Sequence, residues 1–209
     1  MNPIKPQTFP AVPPSFIIHL NPKLCRFSYS KMTALQIVPV RGRQLGRWDC
    51  ALGFPPSFTG HYFAESVSTI LFETRSVLIK DGQPWIKSKA IAHGHVTWLS
   101  SVEPLVVLDL TSRLAQEYFG LRRELESTSY GTCQAFALYI HTVYPEIDGI
   151  RWPSAQLYQL SDDNHCVFIY ARAIARRNVS IVASRPWLED AAMAKLVMQW
   201  ASDAAFKLN

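Results

Sequence analysis

Five polar residues stand near the ends of predicted elements, where a side chain can reach a ligand: Arg26, Arg47, Tyr62, Glu73 and Ser154. A carboxylate at the edge of a buried helix face can line a cleft, and one or two arginines suffice to bind a phosphate-bearing small ligand. Each residue also has a structural explanation. Arg26 and Glu73 can form an ion pair, Tyr62 can fill the core and Ser154 can cap a turn. Taken one at a time, the five residues leave both alternatives open.

Other kinds of site lack their motifs. The four cysteines include no CxxC pair, and His93 and His95 have no partners at the spacing of a known zinc site, so we expect no metal. No GxSxG sequence occurs, and Cys133 falls in a helical stretch where a buried thiol is expected. Neither GxxxxGK[ST] nor GxGxxG occurs, which disfavours a P-loop and a Rossmann site.

Length and composition indicate one compact domain. The chain has 209 residues, of which 48% are hydrophobic and 18% charged, enough for a sizeable core. The formal net charge of +5 is mild and the basic residues are scattered, so we expect no direct nucleic-acid binding. The sequence shows no secretory signal and no apolar run long enough to span a membrane. We therefore expect a soluble cytoplasmic protein with reduced cysteines.

The elements that must position the five residues follow from local patterns. Residues 1–15 hold five prolines and predict an extended arm, followed by a single domain over 16–209. Alternating or continuous apolar runs predict strands at residues 24–28, 61–64, 105–110 and 165–170, with a further candidate at 179–182. Residues 149–152 predict a short strand closed by Pro153, and residues 16–20 form a short apolar run.

Helices are predicted between these strands. Ser66 is an N-cap, and the apolar positions from Val67 to Leu78 lie on one face, with Glu73 at the edge of that face. Further helices are expected over 111–125, 133–143 and about 186–207. Strands and helices do not alternate strictly, which favours an α+β fold over a doubly wound sheet.

Taken together, the five residues lie in a pattern that resembles the RES domain family. Arg26 in the run Leu-Cys-Arg is similar to the family's first arginine, and Gly46-Arg47-Trp48 to its GRW element. Residues 61–66 and 70–73 resemble the YxAES…AxxE stretch, which supplies Tyr62 and Glu73. Residues 148–155, DGIRWPSA, resemble the DGixyxS segment, which supplies Ser154. The order and spacing carry the resemblance, since no single motif is specific.

The resemblance implies an ADP-ribosyltransferase-like fold, a mixed twisted β-sheet with flanking helices around an NAD cleft. It implies a toxin that consumes NAD as its substrate by breaking the nicotinamide–ribose bond, with inorganic phosphate or water as the acceptor. A mono-ADP-ribosyltransferase that modifies a protein is the alternative, and a non-catalytic binding module is a second. The family's partner is an antitoxin with an Xre-like helix-turn-helix, while a homo-oligomer is left open.

On the same resemblance, Glu73, Arg26 and Ser154 are the expected catalytic residues. Glu73 would stabilise an oxocarbenium-like centre, and Ser154 would bond the ribose or hold Glu73 in place. Arg26 and Arg47 would bind the pyrophosphate, and Tyr62 would stack on the nicotinamide. Glu65, eight residues before Glu73, is the candidate second acid that a protein-modifying transferase often carries.

Overall fold

The structure is a computed structural model that describes residues 8–21, 23–32, 35, 46–49, 58–127, 129–155, 164–189 and 191–208. Most of the long irregular connection predicted between residues 39 and 60 lies outside these ranges. The described strands are β1 Ile17–Leu20, β2 Leu24–Ser28, β3 Gly60–Ala64, β4 Val77–Lys80, β5 Gln83–Ile86, β6 His95–Ser100, β7 Leu105–Asp109, β8 Gly149–Pro153, β9 His165–Tyr170 and β10 Ser180–Pro186.

Eight of these strands form one mixed sheet at the centre of the fold. Their order is β1-β7-β8-β9-β3-β2-β6-β10, and β4 and β5 form a separate hairpin. The β7–β8 pair is parallel, whereas the other neighbours are antiparallel. All six residues of β9 are buried, because the sheet is covered on both faces at its centre. The predicted α+β fold with a mixed sheet is confirmed.

Helices cover the sheet on both sides. They are α1 Val67–Glu73, α2 Ser88–His93, α3 Arg113–Tyr118, α4 Arg122–Glu126, α5 Gly131–Val143, α6 Ala171–Arg176 and α7 Ala191–Leu208. Phe136 of α5 packs in one cluster with Phe168 of β9, and Ala173 of α6 packs against Ile169 on the opposite face of that strand. A third cluster joins Leu71 of α1 to Cys25 of β2 and to Val197 of α7. No helix within the described residues is both long and apolar enough to cross a membrane.

Three helix predictions are wrong in their extent, each for a local reason. The helix predicted over 111–125 is two short helices, because Gly120 adopts a φ of 66° and reverses the chain between them. The helix that begins after Ser66 ends at Glu73, since Arg75 is left-handed at φ 53°, and Leu78 therefore lies in β4. Pro186 does not begin the last helix: it ends β10 by pairing with His95, and α7 begins at Ala191.

Gly149 is a point where two backbones approach too closely for a side chain. It pairs with Val107 and with Ile169, and a Cβ on it would lie 2.1 Å from the Phe168 carbonyl oxygen. Because the obstacle is backbone in a sheet centre, the strands themselves would have to shift.

We expect Gly149→Ala to lower the free energy of unfolding by about 1–3 kcal/mol or more, as overpacked cores do. Gly131→Ala is the matched control, since a Cβ there meets nothing within 4 Å at the start of α5, and it should be neutral or stabilising by up to about 1 kcal/mol. Urea unfolding of the two variants measures the difference. Equal losses would show that the close approach at Gly149 does not exist in solution.

Candidate active site

Ser154 and Glu73 meet at the junction of the central sheet and the first helix. Ser154 directly follows β8 and is fully buried, whereas Glu73 is the last residue of α1 and is partly exposed. The Ser154 hydroxyl donates a short hydrogen bond to Glu73 Oε1. Two residues that are 81 positions apart in the chain are thus in direct contact.

Asn164 fixes this contact from the side of the sheet. Its backbone oxygen accepts from Ser154 N at 2.7 Å, and its side-chain oxygen accepts from Thr69 Oγ1 of α1 at 3.2 Å. Ser66 caps the same helix, accepting from Thr69 N at 3.1 Å. One buried amide therefore holds both the strand end that carries Ser154 and the helix that carries Glu73. Sequence reasoning missed Asn164 and Thr69, because no local pattern marks a pair so distant in the chain.

A cleft opens beside Ser154, with a volume of about 440 Å³. This volume is within the usual range of small-molecule sites. Ser154 and His165 contribute to its sheet side, and α3 and α4 contribute its other wall. The remaining lining residues are Thr111, Ser112, Arg113, Gln116, Arg122, Leu125, Glu126, Pro153 and Ala155. The cleft surface is largely apolar, and its polar groups include the guanidinium groups of Arg113 and Arg122, hydroxyl groups and the carboxylate of Glu126.

The loop that carries Arg47 is fastened both to Tyr62 and to the α4 end of the cleft. Trp48 N donates to the Tyr62 hydroxyl at 2.7 Å, and a Cβ on Gly46 would lie 2.6 Å from that hydroxyl, so a larger residue there would displace the Tyr62 ring. The Arg47 guanidinium donates to the carbonyls of Glu124 and Ser127 and lies 4.8 Å from the centre of the Tyr130 ring. Arg47 is 9% exposed and lies behind the helix that lines the cleft.

Arg26 lies on a different face of the sheet. Its Nη1 is 3.0 Å from His61 Nδ1, and His61 and Tyr62 are neighbours on β3, whose successive side chains point to opposite faces. The structure thus joins Glu73 to Ser154 and joins Arg47 to Tyr62 through their shared loop. It directs Arg26 towards the face opposite Tyr62.

Residues 23–190 match the RES domain family. The chain belongs to the RES domain family. Its fold is similar to that of a chain in the crystal structure of the M. tuberculosis MbcT-MbcA toxin-antitoxin complex, with a TM-score of 0.57 and 18% sequence identity. The similarity covers 81% of this chain and 85% of that chain, and it confirms the expected ADP-ribosyltransferase-like fold. No curated protein matches the sequence.

A second cluster of charges lies next to Ser154 in this RES domain, on residues that the sequence reasoning did not assign to the site. Arg151 of β8 donates to Glu65 through Nε at 2.7 Å and Nη2 at 3.0 Å, and its Nη1 lies 3.2 Å from the Asp109 carboxylate. His165 Nδ1 lies 3.0 Å from Glu65 Oε2 and 2.6 Å from Arg151 Nη2. Glu65 is therefore part of an ion-pair network with Arg151 and His165.

The network sets the ionisation of Glu65. Burial alone would raise the pKa of this carboxyl, but the hydrogen bonds from His165 and Arg151 and the charge of Arg151 lower it to about 2. Burial of Arg151 would by itself lower the pKa of its guanidinium, but the bonds and charges of Glu65 and Asp109 raise it. Glu65 thus stays ionised and paired at neutral pH.

The described cysteines are thiols. Burial raises the pKa of Cys25 to about 12 and that of Cys133 to about 11. Burial also raises the pKa of Cys166, with a further increase from the negative charge of Glu73 and an opposing effect of Arg47. No group of three or more metal-ligating side chains occurs among the residues described.

We expect Arg151→Met to lower the free energy of unfolding at neutral pH by about 3 kcal/mol, because two largely buried carboxylates lose their guanidinium partner. In the native protein the lowered pKa of Glu65 contributes stability that is present above the ordinary pKa of 4.5 and is lost as the pH falls towards about 2. The variant should therefore lose less stability than the parent over that acid range. Urea unfolding at a series of pH values measures both effects.

Arg113→Met is the control for this experiment. Its guanidinium pairs with Glu117 on the surface with a side chain 70% exposed, so its loss should cost less than about 1 kcal/mol. If the two variants lose the same small amount of stability, Arg151 does not hold the network together.

Proposed function

We propose that this RES-domain protein is a cytoplasmic enzyme that consumes NAD by breaking the bond between nicotinamide and ribose. The hydrogen bond from Ser154 to Glu73 at the side of the 440 Å³ cleft carries this proposal. It fixes the Glu73 carboxylate beside Ser154, and Ser154 is the member of the pair that lines the cleft. NAD is the substrate, and the chemistry requires no metal.

The carboxylate of Glu73 supplies the charge that this reaction needs. When the glycosidic bond breaks, its electron pair leaves with the ring nitrogen and positive charge develops on the ribose C1 and ring oxygen. An ionised carboxylate beside that centre stabilises it. The pyridinium becomes neutral nicotinamide as it leaves, so no acid is needed to protonate the leaving group. Ser154 keeps Glu73 Oε1 in place without adding a charge.

The other predicted residues have supporting roles in this proposal. The roles of Arg47 as a pyrophosphate donor and of Tyr62 as a stacking surface for the nicotinamide stay predictions. In the structure Arg47 binds the carbonyls at the end of α4 and Tyr62 holds the loop of Arg47. The role of Arg26 as a pyrophosphate donor stays a prediction. Its position against His61 supports a role in holding β2 and β3 together as well.

The environment of Glu65 favours a small acceptor over a protein acceptor. A protein-modifying transferase would need a second acid to activate the acceptor side chain. Glu65 is bound to Arg151 and His165, so it is not available for that role. Water or inorganic phosphate would then attack the ribose C1, giving ADP-ribose or its 1-phosphate.

We further propose that the chain is the toxin of a toxin–antitoxin pair. The similar fold in the MbcT-MbcA complex supports this partner, as does membership of the RES domain family. The antitoxin would carry an Xre-like helix-turn-helix and cover the cleft with its C-terminal end. Depletion of NAD would be the toxic effect.

We expect the purified chain to release nicotinamide from NAD, and mass spectrometry of the second product to identify the acceptor. Release that requires phosphate and yields ADP-ribose 1-phosphate indicates a phosphorylase, and release without phosphate indicates a glycohydrolase. ADP-ribose found only on lysate proteins would favour the transferase. No loss of NAD in any condition from folded protein would contradict the proposal and favour a binding module.

Glu73→Gln should lower kcat for nicotinamide release by about 100- to 1,000-fold, because the amide cannot stabilise the cationic centre. Ser154→Ala should lower it less, since the carboxylate remains but loses its fixed position. Glu189→Gln is the matched control: this carboxylate is exposed and precedes α7, so its kcat should equal that of the parent. Near-normal turnover by Glu73→Gln would exclude the mechanism.

A further inference from the structure

The proline-rich N-terminal segment is packed against α3, which forms part of the cleft wall, and against α5. Residues 9–12, Phe-Pro-Ala-Val, lie outside the part of the chain that matches the RES family, which begins at residue 23. They pack against α3, α5 and the turn that follows α5. The contact is therefore a property of this chain rather than of the family core.

Three tyrosine hydroxyls bind the main chain of this segment. Tyr118 donates to the Ala11 carbonyl at 3.0 Å, and Tyr139 donates to the Pro10 carbonyl at 3.2 Å. Tyr144 accepts from Val12 N at 2.9 Å. Such contacts select a segment whose peptide groups are not used in a helix or a sheet, a condition that extended proline-rich sequence fulfils.

Every third side chain of the segment packs against the surface formed by α3, α5 and the turn after α5. Phe9 packs edge-on against Phe136, with ring centres 4.9 Å apart, and Val12 is 9% exposed. Pro10 and Ala11, between them, are exposed. A polyproline II helix has three residues per turn, and Pro13 has the matching angles of φ −65° and ψ 141°.

The chemistry of the groove suits this kind of ligand. Partial burial and the neighbouring Tyr144 raise the pKa of Tyr139 to about 12, so its hydroxyl keeps the proton that it donates. Flat aromatic rings with a polar edge bind proline-rich segments because the rings pack on the ridges and the hydroxyls reach the carbonyls.

We propose that Tyr118, Tyr139 and Tyr144 form a binding site for a proline-rich peptide in the polyproline II conformation, here called the tyrosine groove, and that residues 9–12 of the same chain are its ligand. Tyr118 is the last residue of α3, and Arg113 and Gln116 of that helix line the cleft. The bound segment therefore braces the cleft wall. The bracing of the cleft wall rests on the proposed function, whereas the peptide-binding site does not.

The test uses the full chain with its own ligand weakened. Phe9→Ser and Val12→Ser together remove both apolar anchors but leave every residue of the groove in place. A fluorescein-labelled synthetic peptide of residues 5–14 is then titrated and followed by fluorescence anisotropy. The double variant should bind the peptide at least about tenfold more tightly than the parent, whose groove is filled by a ligand at high effective concentration. Saturating peptide should also restore the Tm that the double variant loses.

Adding Tyr118→Phe and Tyr139→Phe to the double variant should weaken peptide binding several-fold, because the rings remain but both donors are lost. Adding Tyr29→Phe instead is the control, since Tyr29 lies beside Phe27 in the cluster around β2 and should not affect binding. Equal peptide affinity for parent and double variant would overturn the proposal. So would binding that is unaffected by the two groove substitutions.

NAD turnover tests the bracing separately. The double variant should show a raised KM and an unchanged kcat, and saturating peptide should return the KM to that of the parent. Unchanged KM in a double variant that binds the peptide would refute the bracing. Absence of turnover in the parent itself would count against the proposed function and leave the anisotropy result to decide the peptide site.

Discussion

The guanidinium of Arg151 connects the four strands that surround the candidate site. Arg151 lies in β8, Asp109 ends β7, Glu65 follows β3 and His165 begins β9. The hydrogen bonds and ion pairs among these residues hold the ends of the four adjacent strands together. Ser154 is three residues after Arg151, and Ser66, the cap of α1, is next to Glu65. The positions of Ser154 and Glu73 therefore both depend on where this one cation holds its partners.

Two carboxylates that lie eight residues apart have different surroundings. Glu65 faces the Arg151 guanidinium, which holds the pKa of this carboxyl at about 2. Glu73 accepts a hydrogen bond from the hydroxyl of Ser154, which holds its Oε1 beside the end of β8. The ion-pair network of Glu65 suits a structural role, whereas in the proposed mechanism Glu73 is the carboxylate that stabilises the developing cation.

The sequence predicts those parts of the molecule that have a local cause. The buried runs at β2, β7 and β9 and the cap at Ser66 are each visible within a few residues. The helix end at Arg75 is not, because a residue other than glycine rarely adopts a left-handed φ and the apolar periodicity continues past it. Gly120 is a residue type common at helix ends, but the periodicity on both sides of it predicts one continuous helix.

At the site, the resemblance to the family brought Glu73 and Ser154 into one hypothesis before their contact was known. It gave no sign of Arg151, His165 or Asn164, whose side-chain partners lie between 14 and 100 residues away in the chain. The face of the sheet on which Arg26 lies was readable from alternation. Its neighbour His61 was not, because register between β2 and β3 is set by the whole sheet.

The cleft wall opposite Ser154 consists of two helices too short to be stable by themselves. Helix α3 has six residues and α4 has five, and isolated helices of this length do not form in water. Their positions must come from tertiary contacts, which include the packing of Ala115 and Leu125 into the core. Arg47 binds the carbonyl end of α4, Gln116 Nε2 donates to Leu110 O at 2.9 Å beneath α3, and Tyr118 joins α3 to the proline-rich segment.

The Glu73–Ser154 pair and the contacts that hold the cleft wall are separate parts of the site, so substitutions in the two parts have different expected effects. In the proposed mechanism, changes at Glu73 or Ser154 would alter the group beside the reacting centre and would therefore act on the chemical step. Changes at Arg47, Gln116 or the proline-rich segment alter where the wall stands, so they act first on how tightly the substrate is held. The contacts that hold α3 and α4, including the contact of the proline-rich segment, can therefore vary in sequence without disturbing Glu73 and Ser154, on which the proposed reaction depends.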